Sequence, residues 1–204
     1  MHCSAAHSES ICRLVLVRHA ATKGSGTFVG QLDEPLSATG QGQLRELKRK
    51  LSAFRFDAAF ASDLERARAT AAAAIGRLDL ELQIRDGLRE MHFGRWQGLS
   101  WNQIEKRHRR SARLWLKQFP LRSIPGAERF AHFKKRVKTE LKDIVFAHQG
   151  QCVLVVTHAG VIRVALADVL GMQDRNLSRL AQDHCAVNVI DHFADGVTVR
   201  CVNT

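Results

Sequence analysis

The sequence lacks the features of several large classes of protein. No apolar run approaches the roughly 20 residues that a membrane-spanning helix needs. Residues 1–10 are polar and contain no hydrophobic stretch of the kind found in signal peptides. With 45% hydrophobic and 25% charged residues, the chain is neither disordered, collagen-like nor a disulfide-packed mini-protein. Its 204 residues are enough for a sizeable hydrophobic core.

The cysteines form no paired motif. Five are present, an odd number, and no two of them form a CxxC pair. Cys12 and Cys152 lie in apolar, strand-like segments, where a thiol packs as a small hydrophobic group. We therefore expect the cysteines to be reduced and structural, and the protein to be cytoplasmic. The five are Cys3, Cys12, Cys152, Cys185 and Cys201.

Tyrosine is absent and no RRM or zinc-finger pattern is present, although the chain is strongly basic. Lys and Arg number 31 against 20 Asp and Glu, a net charge of +11. Such an excess favours anionic partners: nucleic acid, a membrane surface or phosphorylated small molecules. The run Lys106–Arg110 with Arg113 is typical of a solvated helix face. We expect a phosphorylated small molecule, with no nucleic acid or membrane, and a basic nucleic-acid-binding protein is the alternative from another class.

Strands and helices alternate along the chain. Strands are predicted at residues 14–17, 57–61, 80–84, 152–156, 185–191 and 197–202, the last two as a hairpin. Helices are predicted from about Thr39, after Ser62, after Ser100, over 130–144 and over 161–170. This alternation predicts the α/β class: a three-layer α/β/α sandwich with a mostly parallel central sheet, formed by residues 1–204 as a single domain.

Two segments have the pattern of a helix capping box, in which a serine and a residue three positions later cap the first turn. Ser62-Asp63-Leu64-Glu65 predicts a helix with Ser62 at its N-cap. Ser100-Trp101-Asn102-Gln103 predicts a second capped helix.

Cationic and nucleophilic side chains follow three of the predicted strands. Arg18 and His19 come directly after the first strand, and His158 comes after the strand at 152–156. Arg66 lies on the first turn of the helix after another strand. Ligands of open parallel sheets bind outside the carboxyl ends of the strands, so these groups share one crevice suited to phosphate. A metal site is the alternative; it is disfavoured because two guanidinium groups repel a divalent cation.

Six segments carry a resemblance to a known family. They are residues 16–22 (LVRHAAT), 30–37 (GQLDEPLS), 62–70 (SDLERARAT), 88–98 (LREMHFGRWQG), 125–128 (PGAE) and 156–163 (VTHAGVIR). In this order they resemble the motifs of the histidine phosphatases, the phosphoglycerate mutase-like superfamily, over nearly the whole chain. The resemblance implies an enzyme that uses no metal and no cofactor.

The resemblance also implies a role for each group at the strand ends. His19 would attack phosphorus in line and form a phosphohistidine, while its other ring nitrogen donates to a backbone carbonyl. Arg18, Arg66 and His158 would hold the equatorial phosphoryl oxygens. Glu90 would protonate the leaving alkoxide as general acid and then activate water as general base.

Further substrate contacts are implied at Thr22, Ser25, Gly30 and Arg129. Ser25 stands where many members of the family carry Asn, and Arg129 stands where Ser is common. Glu128 is the rival general acid, although its position after a Pro-Gly pair favours a helix N-terminus.

Hydrolysis is expected rather than transfer of the phosphoryl group to a second metabolite. The mutases of the family carry a longer insertion between the Glu90 and Glu128 motifs, where this chain has a compact helical stretch. The 93–98 segment looks most like α-ribazole-5′-phosphate phosphatases of cobalamin nucleotide-loop assembly, and broad-specificity sugar phosphatases look similar. Ala20 and Ala21 replace the usual Gly and acidic or amide residue without expected loss of activity. We expect a phosphomonoesterase, monomeric or homodimeric, with mutase-type transfer as the alternative.

Overall fold

A computed structural model describes residues 11–76, 78–119 and 124–204. Within them the strands are β1 (Cys12–Arg18), β2 (Ala58–Ser62), β3 (Leu82–Arg85), β4 (Cys152–Thr157), β5 (Val187–His192) and β6 (Val197–Cys201). The α-helices are α1 (Ala38–Leu51), α2 (Glu65–Ile75), α3 (Trp101–Arg107), α4 (Arg109–Gln118), α5 (Phe130–Ala147) and α6 (Ala159–Val169). The predictions for Cys3 and for residues 1–10 lie outside the described residues.

The strands form one sheet in the order β3-β2-β4-β1-β5-β6. β3, β2, β4 and β1 run parallel, whereas β5 is antiparallel to β1 and pairs with β6 as a hairpin. The mostly parallel sheet and the hairpin are therefore confirmed. β1 lies between β4 and β5, so the strand that leads into His19 is at the centre of the sheet.

Each face of the sheet is covered by helices, as the continuous apolar strands predict. One face packs against α1 and α2 through side chains such as Leu47 and Ala67. The other face packs against α5 and α6 through side chains such as Phe133 and Ile162. Neighbouring residues of β1 alternate between these two clusters, because successive side chains of a strand point to opposite faces. The three-layer α/β/α arrangement is confirmed.

The capping box predicted at Ser62 is wrong. Ser62 is the last residue of β2, paired with Arg85, and α2 begins only at Glu65 with Leu64 at its N-cap. The N-cap makes no side-chain hydrogen bond; instead the Glu65 N–H donates to Asp33 Oδ1 at 2.6 Å. A carboxylate from the loop before α1 thus caps α2 and fixes that loop against the helix that carries Arg66.

The capping box at Ser100 is confirmed. Ser100 Oγ accepts from the Gln103 N–H, and the Gln103 side chain accepts from the Ser100 N–H. The helical stretch is divided at His108 into α3 and α4, which pack over a cluster that includes Trp96, Ile104 and Ala112.

Four cysteines lie in the described part of the chain, and all four are free thiols: Cys12, Cys152, Cys185 and Cys201. Burial raises the pKa of the Cys12, Cys152 and Cys185 thiols to about 11, which keeps them protonated and unreactive. None of the helices in the described ranges is long and apolar enough to cross a bilayer.

Candidate active site

The register of β1 and β4 brings the two strand-end histidines together. Arg18 at the end of β1 pairs with Thr157 at the end of β4, so the next residues, His19 and His158, leave the sheet side by side. Their ring centroids are 5.1 Å apart. Both residues are buried, although both are polar. The two histidines predicted to share one site therefore lie together in the structure.

The contacts of His19 define its tautomer. Its Nδ1 lies 2.8 Å from the carbonyl oxygen of Ala20, and a carbonyl only accepts, so Nδ1 carries the proton. Its Nε2 accepts from Arg66 Nε at 3.2 Å, and guanidinium nitrogens only donate. The lone pair of the neutral imidazole is therefore at Nε2, beside a guanidinium group.

The surroundings of His19 keep it unprotonated. Burial, followed by the positive charges of Arg66 and Arg18, lowers its pKa well below the ordinary value. Burial and the neighbouring His19 do the same for the pKa of His158. Two neutral imidazoles among guanidinium groups give a site that can hold an anion while retaining an uncharged nitrogen nucleophile.

Arg66 is almost fully buried and is held by the loop before α1. Its Nη1 donates to the Leu32 carbonyl at 2.8 Å, and its Nη2 donates to the Gly30 carbonyl at 2.6 Å. On its own helix, Thr70 Oγ1 donates to the Arg66 carbonyl and accepts from the Ala20 N–H at 3.0 Å. The helix, the loop and the segment after β1 are thus linked around one guanidinium group.

Arg18 is held by the segment 182–184, which comes shortly before β5 and for which the sequence predicts no function. Its Nη1 donates to the Gln182 carbonyl at 2.5 Å, and its Nη2 donates to His184 Nε2 at 3.0 Å. The His184 ring lies against His19, with 5.6 Å between ring centroids. The segment shows no periodic pattern or motif from which this contact could be predicted.

Several buried polar atoms of the site have no hydrogen-bond partner among the described residues. They are Arg18 Nε, a donor, and the two ring nitrogens of His158, only one of which carries a proton in the neutral ring. Buried polar atoms are nearly always paired, because an unpaired one costs about 1–3 kcal/mol. Their clustering around His19 indicates a ligand that accepts several hydrogen bonds, as a phosphoryl group does.

Glu90 lies where α6 begins. Its Oε2 accepts from the Gly160 N–H at 3.0 Å, and its Oε1 accepts from the Met91 N–H at 2.8 Å. The Glu90 carbonyl in turn accepts from Gln31 Nε2 at 3.0 Å. Because His158 is the N-cap residue of the same helix, α6 places Glu90 beside the histidine pair.

Glu128 is engaged elsewhere. It lies just before α5 and accepts from Arg136 at 3.1 Å and 2.9 Å. Arg136 also donates to the Arg89 carbonyl, so this ion pair fixes the loop that carries Glu90. The position near a helix N-terminus is confirmed.

The implied substrate contacts occupy different places. Thr22 is buried, and its N–H donates to the Oγ of Ser25, which is exposed. Gly30 has a positive φ of 57°, and its carbonyl accepts from Arg66. Arg129 is exposed at the N-cap of α5 and lines a separate groove with residues of α5 and α6. The structure thus links Gly30 to His19 through Arg66 and leaves Arg129 at another surface.

In the described ranges, no group of three or more His, Cys, Asp or Glu side chains is arranged to hold a metal ion. The cationic groups around His19 are guanidinium groups, which bind phosphate through fixed N–H donors.

This arrangement of neutral imidazoles and guanidinium groups is suited to binding a phosphate ester and attacking its phosphorus. The family model of the histidine phosphatase superfamily (branch 1) matches residues 14–204. The chain belongs to this family, and it is a phosphomonoesterase that acts on small phosphorylated metabolites.

Relatives with assigned names support the same class. The adenosylcobalamin/alpha-ribazole phosphatase of Escherichia coli is 28% identical over 94% of this chain and 96% of its own length. Phosphoserine phosphatase 1 of Hydrogenobacter thermophilus is 28% identical over 87% of this chain and 85% of its own length. The crystal structure of the alpha-ribazole phosphatase from Shigella flexneri superposes with a TM-score of 0.86 at 28% identity, covering 94% of this chain and 96% of that one.

Proposed function

We propose that the protein hydrolyses a small phosphate monoester through a phosphohistidine at His19. The observation that carries this proposal is the tautomer of His19. Its Nδ1–H is fixed by the Ala20 carbonyl, and its Nε2 lone pair lies beside Arg66 in the crevice. Because its pKa is lowered well below the ordinary value, the imidazole is an available nucleophile at neutral pH.

Arg18, Arg66 and His158 hold the phosphoryl oxygens in this proposal. Arg18 Nε and the one protonated ring nitrogen of His158 supply donors that have no partner among the described residues. In the transition state negative charge spreads over the three equatorial oxygens of the phosphoryl group, and fixed guanidinium groups stabilise it.

Two displacements complete the reaction. In the first, His19 Nε2 bonds to phosphorus, the ester P–O bond breaks, and Glu90 gives its proton to the leaving alkoxide. In the second, water attacks the phosphohistidine, Glu90 accepts the proton from that water, and the P–N bond breaks to release phosphate. Placing Glu90 at the start of α6 supports this double role, since the carboxylate lies beside the histidine pair.

The leading substrate candidate is α-ribazole 5′-phosphate, in the assembly of the cobalamin nucleotide loop. The names of the E. coli relative and of the S. flexneri structure support it. Phosphoserine is the second candidate, supported by the name of the H. thermophilus relative. Sugar phosphates belong in the same substrate panel.

The proposal also covers the domain organisation, the basic stretch, the location and the oligomeric state of the protein. We take residues 1–204 as one domain, since the described strands all belong to one sheet. The basic stretch Lys106–Arg113 attracts phosphorylated small molecules rather than nucleic acid. The enzyme works in the cytoplasm as a monomer or homodimer without a metal or cofactor.

A trapping experiment tests the proposal. Wild-type protein is mixed with a radiolabelled phosphate monoester and quenched in alkali. Label should remain on His19, should be stable to base and should be lost in acid. His19→Ala should carry no label and show no turnover, whereas His132→Ala, at an exposed position of α5, should behave as wild type. Label on a serine or aspartate, or full activity of His19→Ala, would contradict the proposal.

A further inference from the structure

We propose that His184 is a positioning residue that orients Arg18 for phosphate binding and does so as an uncharged acceptor. This inference rests on the proposed function, because it assumes that Arg18 binds the phosphoryl group. The carrying observation is the 3.0 Å contact between Arg18 Nη2 and His184 Nε2. Since a guanidinium group only donates, His184 Nε2 is the acceptor and the imidazole is neutral.

Both terminal nitrogens of the Arg18 guanidinium group donate hydrogen bonds to the short segment 182–184. Nη1 donates to the Gln182 carbonyl and Nη2 donates to His184. Nε is buried and has no partner among the described residues, so its N–H is available to a ligand. The two contacts leave the side chain little freedom, which reduces the entropy that phosphate binding would otherwise cost.

The segment 182–184 is itself fixed by side-chain hydrogen bonds to neighbouring residues. The Gln182 and Asn188 side chains exchange two hydrogen bonds of 2.8 Å and 2.9 Å. Asn188 Nδ2 also donates to the Leu16 carbonyl in β1 at 3.3 Å. Asn203 accepts from the Asp183 N–H at 2.6 Å and donates to the Asp183 carboxylate at 2.9 Å. This network fixes His184 relative to the strand that carries Arg18.

The lack of charge on His184 is what the chemistry needs. A carboxylate at this position would also orient Arg18, but it would cancel the positive charge that attracts phosphate. A neutral imidazole accepts the hydrogen bond and leaves the charge intact. Burial, followed by the charge of Arg18, lowers the pKa of His184 to about 4, so the ring stays neutral at physiological pH.

His184 lies next to His19 and not within the hydrophobic core. Its ring lies edge-on to His19, with an interplanar angle of 61°. The residue is half-buried at the crevice, and the next residue, Cys185, has a positive φ of 59°. A non-glycine residue in this conformation is held there by its surroundings, here by the hydrogen bond from the Cys185 N–H to the Arg18 carbonyl.

Three substitutions at one position test the inference. His184→Gln keeps a neutral acceptor, His184→Ala removes it, and His184→Glu replaces it with a negative charge. The first readout is the affinity for inorganic phosphate, measured by calorimetry and as product inhibition, which does not require turnover. The second readout is the split between kcat and KM for a phosphate monoester.

We expect the wild type and His184→Gln to bind phosphate most tightly, His184→Ala more weakly and His184→Glu most weakly. Removing a hydrogen-bond partner of a buried charged group should weaken phosphate binding about 10-fold in His184→Ala. His184→Glu should weaken it further, although it pairs with Arg18. His192→Gln, at a half-buried histidine at the opposite end of β5, is the matched control and should bind as wild type. Thermal unfolding of each variant reports whether the fold is kept.

The outcomes separate this inference from the proposed function. Wild-type affinity in His184→Ala, equal losses in Gln and Ala, or Glu binding as tightly as Gln would each overturn the role of His184. In those cases turnover by the wild type and its loss in His19→Ala would leave the proposed function standing. If the wild type neither binds phosphate nor hydrolyses any ester of the panel, the proposed function fails first.

Discussion

The Gly160 N–H donates to Glu90 Oε2 at 3.0 Å, and the two residues are packed so closely that no side chain fits between them. A Cβ at position 160 would lie 2.2 Å from Glu90 Oε1 and 3.2 Å from the Phe133 ring. Gly160→Ala should therefore displace the carboxylate and lower kcat by about 10²-fold, because a misplaced acid loses most of its effect. Gly42→Ala, on the exposed face of α1 with open space around it, should keep wild-type kcat. Equal kcat in both variants would show that the position of Glu90 does not matter.

Glu90→Gln keeps the shape of the side chain and removes its proton. For an alkyl phosphate, whose leaving group needs protonation, the rate should fall by roughly 10²–10⁴-fold. For p-nitrophenyl phosphate, whose leaving group hardly needs a proton, the rate should fall much less. Glu128→Gln is the comparison, since the Glu128 carboxylate is held in an ion pair with Arg136. If Glu90→Gln slowed both substrates equally and Glu128→Gln showed the leaving-group dependence, Glu128 would be the acid.

The buried histidines should make the fold sensitive to acid. The pKa of His158 is lowered well below 6.5 by burial, so the unfolded chain takes up a proton that the folded chain does not. As pH falls below 6.5, the free energy of unfolding should therefore fall by up to about 1.4 kcal/mol per pH unit for this residue. His158→Gln should therefore lose less free energy of unfolding than the wild type when the pH is lowered from 7 to 5.5. The free energies are measured by urea unfolding without phosphate. A slope as steep as that of the wild type would rule out the linkage; His132→Gln is the surface control.

Activity should persist in excess EDTA. Arg18 and Arg66 supply the fixed positive charge that a magnesium ion supplies in many phosphoryl-transfer enzymes. The measurement is kcat/KM for a phosphate monoester before and after chelation. Loss of activity that a divalent ion restores would mean that the charge of the arginines is not sufficient.

The basic stretch Lys106–Arg113 should act on the rate of encounter. Arg107, Arg109 and Arg110 are exposed on α3 and α4. Salt shortens the Debye length from about 10 Å at 0.1 M to about 3 Å at 1 M, so kcat/KM should fall with salt while kcat changes little. Neutralising the three arginines should flatten this dependence and leave kcat unchanged. Tight binding of nucleic acid at physiological salt, lost in the same triple variant, would revive the nucleic-acid alternative.

The sheet and the strand-end cluster could be predicted from the sequence for a physical reason. Strands buried on both faces read as continuous apolar runs, and parallel neighbours end at one edge. Arg18, His19 and His158 therefore lie together wherever the two strands pair in register, as β1 and β4 do.

His184 could not be predicted by the same reasoning. The strand-end pattern covers only the carboxyl ends of parallel strands. β5 runs antiparallel to β1, so the segment that enters β5 lies at the edge where β1 ends. The incorrect cap at Ser62 has a similar origin, because the partner of the Glu65 N–H is Asp33 from a distant loop rather than a residue of the local pattern.

The central position of β1 in the sheet also affects how the chain folds during its synthesis on the ribosome. β1 pairs with β4 on one side and with β5 on the other, so Cys12 meets His192 only after most of the chain has been made. Until β4 has been made, the apolar strand that leads into His19 has no partner strand in the nascent chain. Pairing across such sequence distances is slow, and unpaired apolar strands attract other chains. During synthesis this strand is therefore exposed to non-native contacts until its partner strands are available.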